Sequence, residues 1–346
     1  GQYVNFYRDN ANLSGSEMVN GQRLTVLPGV MYEYEPEWGF LKAGGKVHHT
    51  DYFLEDHTGQ TESHLSRTLP VAIADAGLYF DRDEFAFNPQ WSQTLEPRLY
   101  YVHRAYKDQS LYPDFDSDYR DFSFSSLFQD NRFTGGDRIA DSHRLSTAVT
   151  SRINDRATGR EIGRLSLGQI YYFDDREVAL DSEGAGTRSD SPFAGELVVS
   201  PVSWVDFTAS AIWDGRNSNT EEGALSLKLH SDDYRWVFNA GHRYLEGELE
   251  QSNVSAIVPV TEQISLFGRW LYELQDNRTI GSVAGVEYES CCWRIQLFNR
   301  SYLTSDETVD HGFLLQFELK GLGRVRSGSR SGDLIDGYGQ REQLMR

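Results

Sequence analysis

Three sets of residues in this sequence have types and spacings that could do chemistry. Asp114, Asp116 and Asp118 form a D-x-D-x-D run, the pattern by which calcium loops offer alternate carboxylates to one ion. Such a loop needs glycine at its sixth position and glutamate at its twelfth, and the chain has Tyr119 and Ser125 there. The run is therefore expected to be a solvated acidic loop. His48 and His49 stand beside Asp51, but adjacent residues of a strand face opposite ways and cannot easily share a metal. Hydrolytic chemistry would be signalled by a G-x-S-x-G elbow, which the chain lacks. No catalytic residue, cofactor or metal is expected from these sets.

The third set is a vicinal thiol pair, Cys291-Cys292, and the chain has 2 cysteines in all. Disulfides favour Cα atoms about 4.4–6.8 Å apart, whereas neighbours along the chain lie about 3.8 Å apart, so a bond within the pair would be strained. Two arrangements stay open on the residues alone. Each thiol pairs with a cysteine outside this chain, or both are reduced and buried.

The stretch 104–141 is the other unusual feature. It carries eight aromatic residues among polar ones without a strand or helix period, and so long a connection is expected to be functional. At its centre stand Asn131, Arg132, Phe133, Thr134, Gly135, Gly136, Asp137 and Arg138. The glycine pair permits positive φ, and the two arginines with the aspartate can tie the loop down.

The elements that must position these residues read as strands throughout. Sixteen segments are predicted, from Gln2–Arg8 to His311–Gly321, with Arg23–Tyr34 and Ser66–Phe80 among them. Alternation is clearest late in the chain, where Phe313, Leu315, Phe317 and Leu319 alternate with Gln316, Glu318 and Lys320, putting one set on each face of a sheet. Alternate connections are mostly long and the intervening ones mostly short, and aromatic residues cluster near strand ends, as at Tyr100-Tyr101 and Tyr171-Tyr172-Phe173. Both are features of an antiparallel transmembrane β-barrel of the bacterial outer membrane. No apolar run approaches the ~20 residues of a spanning helix, and mean hydropathy is -0.55. A formal charge of -19 argues against a nucleic-acid partner, which requires basic patches. Residues 1–321 are expected to form the barrel portion, with the connection 104–141 extracellular, and 322–346, rich in Gly, Ser and Arg, a flexible periplasmic tail.

The residues 131–138 (NRFTGGDR), preceded by Pro113–Asp116 and Leu127-Phe128 and followed by Ser151-Arg152, Gly168–Phe173 (GQIYYF) and the late Cys291-Cys292 pair, resemble the C-terminal region of the LptD (OstA) family of outer-membrane lipopolysaccharide-assembly proteins. The resemblance runs from about Arg23 to about Gly321. It implies a barrel of about 26 strands, of which about 16 would lie here, preceded by a periplasmic jellyroll that receives lipopolysaccharide from the LptA bridge. It implies transport without covalent chemistry: lipid enters the outer leaflet between the first and last strands, while the lipoprotein LptE plugs the lumen. Phe313, Leu315, Phe317 and Leu319 would then belong to a gate strand against outer-membrane lipid. The family's two N-terminal cysteines would be the disulfide partners of Cys291 and Cys292. Arg132 and Arg138 would meet luminal carboxylates or LptE, or would lock the loop to itself. A sixteen-stranded diffusion porin is the main alternative, and an outer-membrane hydrolase a more distant one.

Overall fold

The computed structural model describes residues 1–7, 19–55, 62–180, 186–304, 306, 308–319 and 335–344. Their regular structure is antiparallel β-sheet with one short α-helix. The strands are β1 (Gln2–Phe6), β2 (Asn20–Val26), β3 (Gly29–Tyr34), β4 (Gly39–Glu55), β5 (His64–Leu78), β6 (Phe80–Arg82), β7 (Trp91–Arg104), β8 (Ser142–Asp155) and β9 (Glu161–Tyr172). They continue with β10 (Phe193–Val199), β11 (Val205–Asp214), β12 (Asn219–His230), β13 (Val237–Leu245), β14 (Leu249–Pro259), β15 (Ile264–Glu273), β16 (Arg278–Glu289), β17 (Trp293–Leu303) and β18 (Val309–Leu319), and a short helix α1 (Tyr338–Leu344) follows. The chain divides into two compact units, Gly1–Ser151 with Ser166–Gly195, and Arg152–Leu165 with Glu196–Arg346.

The expectation of sixteen strands becomes eighteen for one physical reason, proline. Arg23–Tyr34 is broken at Leu27-Pro28 into β2 and β3, yet both pair with β4 in one continuous register, Val26 facing His49 and Gly29 facing Lys46. Pro28 has no N–H for the ladder, although its carbonyl still accepts from Val47 N at 2.8 Å. Likewise β5 and β6 lie on β7 in one register, Gly77 facing Arg98 and Phe80 facing Leu95. Pro97 falls in that gap and withholds its donor.

Within the second unit the sheet is inverted relative to a soluble protein. Glu287, Glu289, Arg294, Gln296 and His230 are buried, whereas Leu225, Val258, Leu266, Trp270, Leu297, Phe313 and Leu315 are exposed, Phe313 by 82% and Leu315 by 73%. Along β17 the two sets alternate residue by residue, buried Arg294, Gln296 and Phe298 between Ile295 and Leu297. Such continuous apolar exposure suits a surface that meets something other than water.

In place of a flexible tail throughout 322–346, the chain holds a docked segment over Ile335–Leu344; residues 320–334 lie outside the described residues. Ile335 and Tyr338 pack on Ile257, Phe267, Val283 and Phe298. The Arg341 guanidinium donates to Glu287 Oε1 at 2.7 Å and to Ser265 Oγ at 2.9 Å. A helix of 7 residues has little stability alone, so these contacts hold it. Composition shows Gly and Arg as linker-like but cannot show a buried carboxylate waiting for one of those arginines.

Candidate functional site

The connection 104–141 of the first unit is fixed by side chains that rise from the strands beneath it. Arg23 on β2 supplies the central cation. Its guanidinium donates to Asp116 Oδ1 at 2.7 Å, Asp116 Oδ2 at 2.8 Å and Asp137 Oδ1 at 2.7 Å. Tyr52 on β4 donates its hydroxyl to the same Asp137 oxygen at 3.0 Å. The other Asp137 oxygen accepts the backbone N–H groups of Phe115 and Asp116 at 2.6 and 3.0 Å. Asp137 and Arg23 are both essentially inaccessible, so each needs the other to remain charged in place. Burial works against the Asp116 charge, but the Arg23 guanidinium and the Gly136 N–H outweigh it and hold that carboxyl at about 2. Burial pushes the Asp137 carboxyl up, with Arg23 pulling the other way.

Two further arginines fix the backbone of the loop. Arg67 on β5 donates to the carbonyls of Asp137 at 2.6 Å and Gly136 at 3.1 Å. Arg104, at the end of β7, donates to the Ala140 carbonyl at 2.8 Å and to Asp130 Oδ2 at 2.7 Å. Asn131 closes the loop on itself, its amide nitrogen donating to Phe133 and Arg138 carbonyls and its oxygen accepting from Ala140 N at 2.9 Å. Phe133 is buried against Ala140, Val178 and Leu180, and the Phe115 ring stacks on Phe6 at 4.3 Å.

Of the two arginines singled out in the sequence, Arg138 ties the loop to itself and Arg132 ties it to a neighbouring connection. Arg138 donates to the Pro113 carbonyl at 2.9 Å, and Arg132 donates to the Val178 carbonyl in the connection after β9. Asp141 fastens that same connection by accepting Glu177 N at 2.8 Å and Val178 N at 3.1 Å.

Gly135 sits at φ 65°, and a Cβ there would lie 2.1 Å from the Asp116 carbonyl oxygen. Gly135→Ala is expected to cost about 1–3 kcal/mol through backbone strain and displacement of Asp116. The measurement is protease cleavage within 104–141 in intact membranes, where wild-type-like resistance would refute the assignment.

The other sequence candidates are dispersed. Asp114 accepts Ser117 N, Asp116 belongs to Arg23, and Asp118 accepts Tyr119 N. His49 meets Thr68 and Asp51 while His48 meets Thr50, so the two rings serve different faces of β4. Cys291 and Cys292 are exposed in the connection between β16 and β17. Phe313, Leu315, Phe317 and Leu319 point to the exposed face of β18, which pairs with β17 along its whole length, from Trp293 facing Leu319 to Leu303 facing Val309.

Sequence reasoning missed the anchors Arg23, Tyr52, Arg67 and Arg104 and, in the second unit, Glu287, Arg294, Tyr338 and Arg341. The available signal was a charged residue at a mid-strand position with apolar neighbours, as at Arg67 between Leu65 and Leu69.

The family described as LptD, LPS transport system D, matches residues 1–275. The LPS-assembly protein LptD of Marinobacter nauticus is 46% identical over 99% of this chain and 43% of its own length. That of Hahella chejuensis is 43% identical over 96% of this chain and 42% of its own. Among solved structures, a ferric enterobactin receptor (PfeA) mutant of Pseudomonas aeruginosa aligns with 82% of this chain and 49% of its own at 10% identity, with a TM-score of 0.36. The chain spans less than half the length of the curated relatives it matches, and with its sheet, its anchored loop and this match over most of its residues, it belongs to the LptD family.

Proposed function

We propose that this chain is the C-terminal part of an outer-membrane β-barrel that translocates lipopolysaccharide and inserts it into the outer leaflet. The observation that carries this reading is the inverted sheet of the second unit. Exposed rows such as Phe313, Leu315, Phe317 and Leu319 suit lipid contact, while the buried rows of Glu287, Arg294 and Gln296 suit a polar lumen. β18 serves as one lip of a lateral gate. Every unpaired backbone group of an open strand edge costs several kcal/mol in lipid, so opening is brief or is compensated by the passing lipid. The anchored loop 104–141 forms a fixed wall on the extracellular side. The missing part supplies the jellyroll that takes lipopolysaccharide from LptA, and LptE plugs the lumen. No covalent chemistry is needed. The test is depletion of the full-length protein in its own cell, followed by surface labelling of newly made lipopolysaccharide. Retention of that glycolipid inside the outer membrane supports the reading, whereas normal arrival with reduced uptake of small solutes supports a porin.

Cys291 and Cys292 join this part to cysteines of the missing N-terminal region, consistent with their exposure and with an oxidising periplasm. Full-length protein from the outer membrane is expected to shift in gel mobility on reduction, and Cys291→Ser and Cys292→Ser each to remove one long-range crosslink. An unchanged mobility in all samples would refute the pairing.

A further inference from the structure

The second unit contains one row of buried-face positions that runs across seven strands. Cross-strand pairing aligns Lys228, Asn239, Ser255, Arg269, Val283, Arg300 and Gly312. Val283 packs with Phe267 and Phe298, which fixes the face on which Arg269 and Arg300 lie. At one end of the row Lys228 is neutralised by Asp336 at 2.6 Å, and Asn239 donates to the Asp336 carbonyl at 3.0 Å. At the other end the row meets Gly312 on β18, which has no side chain to fill the space.

Arg269 and Arg300 flank Val283 between these ends, and both line a cavity of about 180 Å³ with Leu271, Val283, Tyr302 and Leu303. Arg67, Arg132 and Arg138 meet backbone carbonyls, whereas Arg23, Arg98, Arg104, Arg152, Arg294 and Arg341 meet carboxylates. Among the described residues Arg269 and Arg300 meet none. The carboxylate in the next row, Asp310, is held by the Tyr302 hydroxyl at 2.9 Å, and the Arg300 guanidinium lies over the Tyr302 ring, 4.7 Å from its centroid. Two interstrand spacings separate the arginine backbones by roughly 10 Å, a span that lets two long side chains converge on one tetrahedral anion.

We infer that Arg269 and Arg300 form a phosphate subsite, placed beside β18 to take a phosphate group on the saccharide headgroup of a glycolipid. A phosphate monoester carries close to two negative charges near neutral pH, and guanidinium forks match its oxygens bidentately. Leu271, Val283 and Leu303 limit water around that contact without competing for the anion. The inference rests on the lipopolysaccharide reading given above and names the part of the substrate that this site holds.

The test uses full-length protein purified from outer membrane in detergent, as wild type, Arg269→Gln, Arg300→Gln and the double variant, with Arg269→Lys and Arg300→Lys as conservative controls. The probes are lipid A carrying its phosphates, lipid A stripped of them, and inorganic phosphate. Each glutamine variant is expected to weaken binding of phosphorylated lipid A about tenfold and the double variant about a hundredfold. Binding of the stripped form should not change, the lysine variants should recover part of the loss, and heat-modifiable gel mobility should confirm folding. Equal affinities of wild type and variants for phosphorylated lipid A overturn the subsite alone. Wild-type protein that binds neither lipid overturns both the subsite and the transport reading. Inorganic phosphate binding as tightly as the glycolipid overturns the headgroup assignment in favour of a free anion.

Discussion

Asp137→Ala is expected to free the connection 104–141 and to destabilise the first unit by about 3–5 kcal/mol, the range for removing one partner of a buried ion pair. Asp137 is fully buried and accepts four hydrogen bonds, from Arg23, Tyr52 and two backbone N–H groups. Its loss leaves Arg23 with Asp116 as its carboxylate and deletes the oxygens that accept from Tyr52 and from the Phe115 and Asp116 N–H groups. Asp137→Asn keeps the size but turns one acceptor oxygen into a donor, so it is also expected to destabilise, by less than alanine. The measurements are the urea midpoint of the folded full-length protein in detergent and protease cleavage within the loop. A double-mutant cycle with Arg23→Ala should give a coupling of about 1–3 kcal/mol. Additive effects would show that the two side chains act separately and that the bolt is misassigned.

Glu287→Ala carries the second large effect. Glu287 is fully buried and accepts from Arg341 at 2.7 Å, from Gln296 at 2.7 Å and from the Tyr338 hydroxyl. Burial, with Glu287 beside it, raises the Tyr338 phenol far above its ordinary range, so it remains a donor. Removing the carboxylate leaves Arg341 buried with Glu289, at 3.7 Å, as its charge partner among the described residues. We expect loss of about 3–5 kcal/mol and release of α1 from β15, β16 and β17. Tyr338→Phe, which deletes one donor and keeps the ring on Ile257 and Phe298, is expected to cost about 1 kcal/mol. A fluorophore at the C-terminus of the full-length protein should gain mobility in Glu287→Ala and much less in Tyr338→Phe. Unchanged mobility in both would mean that the apolar contacts alone hold the segment.

The strands were legible because a sheet writes a period of two into the chain. Alternation such as Trp293, Ile295 and Leu297 against Arg294 and Gln296 is local, and β17 follows it residue for residue. Even the two interruptions at Pro28 and Pro97 are properties of single residues, and each leaves the register intact. The loop centre was legible for a similar reason, since Gly135 and Asp137 are types chosen for backbone freedom and for accepting hydrogen bonds.

The partners of those residues were decided by the tertiary structure. Arg23 and Asp137 are separated by 114 positions, and Arg341 and Glu287 by 54, so no local pattern links them. Alternation assigns a charged residue to a face but not to a partner across it, because pairing depends on which strands lie beneath a loop or a terminal segment. Composition made 322–346 look like linker, yet Ile335, Tyr338 and Arg341 are buried because the sheet beneath them offers an apolar patch beside Glu287. Strand identity, face and register follow from a repeat within a few residues, whereas the bolt on the loop and the dock for α1 exist only once distant strands have set their side chains side by side.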